Sequence, residues 1–196
     1  MDIFKYADLM LYTTTELTNE QLEFLPFQNI TIKMYVNPGY QEGAVQAMID
    51  PFLSNASWFD GYDWVIRINM DVLIRDDKWL MQTMLNTSIE MIVHDCDSRN
   101  KYTANAFLHT DFFAIRPNAI EHERFIGGET GHAEGHFTTG VRPIFDEGRF
   151  AYVEGGKNAI DGYCRIEGVH SPVLHVHELS QYCPNYYNIT KEGFYR

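Results

Sequence analysis

A chain of 196 residues can bury one sizeable core and is short for two, and 45% hydrophobic and 14% aromatic residues make it a globular domain without low-complexity tracts or linkers. A formal net charge of -12 excludes DNA or RNA binding through a basic surface, and any anionic ligand must be met by a bound cation or a few well-placed Arg and Lys side chains. Cys96, Cys164 and Cys183 cannot all pair with one another and lack Cys-x-x-Cys spacing, so free thiols are expected rather than a disulfide framework.

Asp2, Lys5, Asp8 and Glu16 interrupt the apolar residues of the N-terminus, a pattern of neither a secretory signal nor a membrane span; a soluble, cytoplasmic chain is expected. The glycosylation-like triplets at Asn29, Asn55, Asn86 and Asn188 matter only in a secretory compartment, to which nothing in the sequence directs the chain. Residues 8–14 read as a first strand with Thr13, Thr14 and Thr15 at its exit, followed by a short helix from about Thr18, whose hydroxyl can cap Gln21 and Leu22. Residues 30–36 form a second strand closed by the turn Asn37-Pro38-Gly39. Ala44, Val45 and Met48 then fall at helical spacing over residues 41–50, and Pro51 breaks or kinks that helix.

The third strand, residues 63–69, leads into Val72-Leu73-Ile74 and a helix opening at Asp76 or Asp77 with Leu80, Met81, Met84 and Leu85 on one face. Residues 89–93 make a fourth strand. This alternation of strands and helices predicts βαβ units and a mainly parallel sheet. The second half is less regular: a polar loop over residues 95–105, a strand over 112–116, a helical region between Gly131 and Gly148, late strands over 150–153 and 172–177, and an aromatic tail over 182–195.

The third strand ends on Asn69 and Asp71, whose i, i+2 spacing projects both oxygen-bearing side chains to one side just where the hydrophobic run gives out. A hard cation, Mg²⁺ or Mn²⁺, suits such a pair at the carboxyl end of a strand in an α/β sheet; capping of a turn or a helix start is the alternative. His175 and His177 share one face of a late strand, near His170, and could supply a nitrogen ligand to Mn²⁺ or to Zn²⁺, or bond to backbone at a strand edge. His132 and His136 stand i, i+4 as in a helical zinc clamp, but Glu134 does not adjoin the first His as in metalloproteases, and Gly131 and Gly135 weaken a helix there. Glu134 remains a candidate carboxylate at a cleft.

His109-Thr110-Asp111 leads a polar triplet into a hydrophobic strand, where Asp111 needs either a role or a structural partner such as Arg116 or Arg142. Asp95 and Asp97 follow the fourth strand, in a loop whose Arg99 and Lys101 could fold over a phosphate or be solvated. No Ser-His-Asp arrangement, Walker or dinucleotide glycine loop, or reactive-cysteine motif is readable.

Together, the segments Asp-Trp-Val-Ile-Arg-Ile-Asn-Met-Asp (63–71), His-Thr-Asp-Phe-Phe-Ala-Ile-Arg-Pro (109–117) and Pro-Val-Leu-His-Val-His (172–177) resemble glycosyltransferases of the GT-A fold. The resemblance is nearest to small transferase domains of algae and of chlorella viruses that glycosylate capsid protein. It implies a single Rossmann-like α/β domain with a mainly parallel central sheet flanked by helices. It also implies a divalent ion, Mn²⁺ or Mg²⁺, that grips the diphosphate of a nucleotide sugar through an Asp-x-Asp motif.

Here Asn69 stands where that motif has its first Asp, leaving Asp71 as its only carboxylate. By this resemblance Asn69 reaches the ribose or the metal, Asp71 the metal, and His175 or His177 the metal from the last strand. Thr13 and Thr14 lie near the base, and Arg67, Asp95 and His109 complete the expected substrate-binding set. A diphosphate charge at ~4 Å from Asp71 would be repelled by about 4 kcal/mol at an effective dielectric near 20, about a thousandfold in affinity, so a cation must bridge them.

The resulting expectation is a metal-dependent glycosyltransferase that moves a sugar from a nucleoside-diphosphate donor, UDP first, to a hydroxyl of a glycan or glycoprotein such as a viral capsid protein. Asp111 contacts the donor sugar or acts as base, with Glu134 in reserve. The alternatives are a zinc hydrolase built on His132, His136 and the late histidines, and a non-catalytic carbohydrate- or nucleotide-binding module with aromatic stacking surfaces.

Overall fold

The computed structural model describes residues 2–70, 72–93, 108, 110–127, 133–153 and 172–175. Strands β1 (Leu9–Thr13) and β2 (Ile30–Met34) pair in parallel, Leu9 opposite Ile30 and Thr13 opposite Met34. A parallel pair needs a crossover, and helix α1 (Asn19–Glu23) lies on it. Its start is a capping box: Thr18 Oγ1 accepts from the Gln21 amide at 3.3 Å while Gln21 Oε1 accepts from the Thr18 amide at 2.9 Å. Two donors that the helix cannot pair internally are thereby satisfied.

Beyond β2 the Asn37 side chain accepts the Gly39 amide at 3.0 Å, and Gly39 takes a φ of 148°, where a β-carbon would be strained. Helix α2 (Tyr40–Ile49) follows and widens into a π-helical turn, Asp50–Ser54. Pro51 in that turn has no N–H to continue the regular ladder, and Asn55 instead returns to the Asp50 carbonyl at 2.8 Å.

The remaining elements are β3 (Val65–Ile68), β4 (Val72–Ile74), α3 (Asp77–Met84), β5 (Met91–Val93), β6 (Phe112–Ile115), α4 (Ala133–Gly140), α5 (Arg142–Asp146), β7 (Phe150–Tyr152) and β8 (Val173–His175). Asp76 caps α3 by accepting the amides of Lys78 and Trp79 at 3.0 and 3.2 Å, and the buried Asp77 carboxylate takes the Ile3 amide at 2.9 Å. The N-terminal turn is thus fastened to the start of α3. Leu85, expected on the buried face, is 80% exposed because the helix stops at Met84 and Leu85 forms its cap.

The fold is mixed α/β, but the single, mainly parallel sheet expected from the sequence is replaced by three small sheets among the described residues. A four-stranded sheet runs in the order β3-β6-β5-β7, with β6 antiparallel to both neighbours and β5 parallel to β7. Strands β3, β5 and β7 therefore share one direction and β6 opposes them. Strand β4 pairs antiparallel with β8 in a separate ribbon. All four residues of β6 are buried, which gives it the unbroken apolar run of a central parallel strand. Such a run reports burial on both faces and carries no information on direction.

Alternation along β6 divides the core. Phe113 and Ile115 face a cluster with Met48 of α2, Phe137 of α4 and Ile144 of α5; Phe112 and Ala114 face Leu80 of α3 and Val173 of β8. Helices therefore cover both sides of the sheet. The Phe113 and Phe137 rings stack with centroids 4.1 Å apart at 22°, fixing α4 over the middle of β6. Burial of each such ring contributes about 2–3 kcal/mol.

Candidate functional site

Strand β3 delivers Arg67 and then Asn69 to the face shared with Phe113, and pairing with β6 brings them beside Asp111. The Asn69 amide donates to the Asp111 carbonyl at 2.8 Å, closing the ladder one step beyond the last paired residues, and Asn69 Nδ2 donates to the Asp111 carboxylate. The need of Asp111 for a partner is met here by Asn69. A hydrogen bond through Nδ2 leaves Asn69 Oδ1 as the atom of that side chain able to face a cation.

Helix α4 builds the next wall. Glu134, in its first turn, accepts the hydroxyl of Thr110 at 3.1 Å, and Thr138, one turn on, accepts the amide of Leu108 at 2.8 Å. Thr110 is buried, so the approach to Asp111 is held against α4 by two hydrogen bonds and by the Phe113–Phe137 stack. Positions 134, 137 and 138 meet one surface because residues three and four apart share a helix face.

Arg67 lies within electrostatic reach of both carboxylates, its guanidinium carbon 6.0 Å from the centre of the Phe113 ring. Its Nη1 is buried with no hydrogen-bond partner among the described residues. Burial pushes the guanidinium below its usual value, and the negative charges of Asp111 and Glu134, with Tyr35, pull it back up. The site therefore contains a desolvated cation, two carboxylates and a spare donor.

Tyr35 ties this ground to β1. Its amide donates to the Thr13 carbonyl at 3.0 Å and its ring stacks on Tyr12 at 4.3 Å. Thr13 Oγ1 accepts the Thr15 amide at 3.1 Å in a local turn, while Thr14 is exposed. The sequence reading did not single out Tyr35 or Thr138; with no motif around them, only packing brings them to the site.

On the other side of Asn69, β4 starts at Val72, and the register of the β4–β8 ribbon sets His175 opposite Val72. Directly opposed residues have α-carbons ~4.5–5.5 Å apart, so the backbone of His175 runs beside that of Val72. Asp71, Asp95, His109, His132 and His177 lie outside the described residues. His136 falls on α4, which begins at Ala133. No group of three or more His, Cys, Asp or Glu is placed to hold a metal among the described residues. Nor does any described helix have the length and apolarity to cross a membrane.

Comparison with protein-family models, curated proteins and solved structures finds no match. The functional reading therefore rests on the residues and their geometry.

Proposed function

We propose that this chain is a metal-dependent glycosyltransferase of the GT-A kind, which moves a sugar from a nucleoside diphosphate, UDP first, to a hydroxyl of a glycan or glycoprotein. The observation that carries the reading is the meeting of Asn69 with Asp111 at the carboxyl end of β3, with His175 in register beside the start of β4. Helices on both faces of a sheet in which β3, β5 and β7 point the same way support a single Rossmann-like domain.

Asn69 Oδ1, Asp71 and a His of the 175/177 pair would hold the ion, a donor set of hard oxygens plus one imidazole whose chemistry fits Mn²⁺ or Mg²⁺. When bound, the ion supplies neutralisation of the diphosphate and Lewis-acid stabilisation of the departing nucleoside diphosphate. Asp111, oriented by Asn69, accepts the proton of the acceptor hydroxyl as its oxygen bonds to the anomeric carbon and the bond from that carbon to the phosphate oxygen breaks. Glu134, fixed by Thr110, and Arg67 face the donor sugar. Tyr35 and the exit of β1 flank the nucleoside.

Calorimetric titration of UDP with and without Mn²⁺, on the wild type and on Asp71→Ala, tests the reading. The expected result is metal-dependent binding in the wild type and its loss in a variant that melts at the same temperature. Equal binding by the variant, or tightly held stoichiometric zinc with no nucleotide binding, overturns the assignment and favours the hydrolase. Sugar binding without nucleotide or turnover favours the binding module.

A further inference from the structure

The buried Nη1 of Arg67 is a hydrogen-bond donor with no acceptor among the described residues, and an arrangement of this kind is costly unless a ligand completes it. Which ligand completes it is decided by the neighbours. Arg67 is influenced by both Asp111 and Glu134, so its single positive charge is already outnumbered by two negative ones. A ligand carboxylate placed against Arg67 would gain one attraction and meet two repulsions. A hydroxyl suffers no such penalty, because it accepts from Nη1 and donates its own proton to a carboxylate oxygen. Glu134 has an oxygen suited to this, since Thr110 occupies Oε1 and Oε2 has no hydrogen-bond partner among the described residues.

Resting on the transferase reading, we propose that Arg67 and Glu134 form a selectivity pair that accepts a donor whose sugar is neutral and hydroxyl-bearing and rejects one whose sugar is acidic. One sugar hydroxyl bridges the two side chains, taking a hydrogen bond from Arg67 and giving one to Glu134. One uncompensated like charge at a distance of roughly 7 Å and an effective dielectric near 20 weakens binding about fiftyfold.

UDP-glucose and UDP-glucuronate differ only at the sixth carbon, hydroxymethyl in one and carboxylate in the other, and are the natural probes. Calorimetry with Mn²⁺ on UDP, UDP-glucose, UDP-galactose, UDP-xylose and UDP-glucuronate is expected to show the best neutral sugar binding about fiftyfold more tightly than the glucuronate. Glu134→Gln removes the uncompensated charge and should bring the ratio down about fiftyfold, toward unity, whatever the variant costs the neutral sugar. Arg67→Met should erase at least about tenfold of the advantage of the neutral sugar over plain UDP, read as the ratio of the two affinities in the same variant. A wild-type ratio below about tenfold, or one that Glu134→Gln does not change, overturns the selectivity pair while UDP binding still upholds the transferase. Absence of UDP binding fails the transferase reading and this inference with it. The wild-type comparison decides even where a variant does not fold.

Discussion

Asn69 holds Asp111 twice, by its backbone amide on the Asp111 carbonyl at 2.8 Å and by its side-chain amide on the Asp111 carboxylate. On the proposed transferase reading, this pairing accounts for an Asn standing where an Asp-x-Asp motif would have its first Asp. A carboxylate at position 69 would set a like charge against Asp111 where the Asn69 side chain now donates, whereas an amide offers nitrogen to Asp111 and keeps its oxygen for another partner.

Asn69→Asp, which restores the full motif, is therefore expected to destabilise the metal-free protein. It replaces a donor by a like charge, costing about 1–3 kcal/mol, or a melting temperature lower by about 2–10 °C in chelator. Mn²⁺ should recover most of that loss and stabilise the variant more than the wild type. Scanning calorimetry in chelator and in Mn²⁺ checks this; a variant as stable as the wild type in chelator would remove the pairing from its explanatory role.

The wall built by α4 is predicted to depend on Phe137. Its ring is fully buried and stacked on Phe113, so Phe137→Ala removes both the buried surface and the aromatic contact, at about 3–5 kcal/mol. Because Glu134 and Thr138 act from the same helix, the variant should also lose sugar-dependent binding beyond what its stability loss explains. Urea unfolding together with UDP-sugar titration at low temperature separates the two effects.

The elements themselves were largely legible, since period-2 and period-3.6 patterns and caps are local. Thr18 caps α1 as its spacing predicts, and Asp76 opens α3. What was not legible is pairing. Whether β6 runs parallel or antiparallel leaves no trace in four buried apolar residues, and nothing near Val72 announces that β4 leaves the main sheet to join β8. Asp111 and Glu134 were readable as polar residues next to apolar ones. Their gathering around Arg67 was not, because it depends on the antiparallel register of β3 and β6 and on one helix face.

A close approach at the start of α2 predicts non-additivity. A β-carbon on Gly43 would overlap the Asn37 side chain, which accepts the Gly39 amide. Gly43→Ala gains helix propensity, up to about 1 kcal/mol, but displaces Asn37 and forfeits a hydrogen bond of about the same worth. The single variant should be near neutral, while in an Asn37→Ala background the same change should stabilise by about 0.5–1 kcal/mol. Equal effects of Gly43→Ala in both backgrounds, measured by urea unfolding, would refute the overlap.

Alkaline stability should depend on Tyr12. Burial, followed by its hydrogen bond to Asp50, raises the Tyr12 phenol far above the ordinary tyrosine value. The folded state then holds the phenolic proton where the unfolded chain, titrating near ~10, has released it. A raised folded value contributes stability that is fully present below about pH 10 and falls away as the pH rises beyond it. Tyr12→Phe cannot titrate, so its stability deficit relative to the wild type should be constant from pH 7 to 9 and shrink steadily between pH 10 and 11.5. Urea midpoints for both proteins across that range give the difference directly. A deficit that stays flat to pH 11.5 would mean that Tyr12 ionises in the folded state as readily as in the unfolded one, and that its contact with Asp50 does not hold the proton.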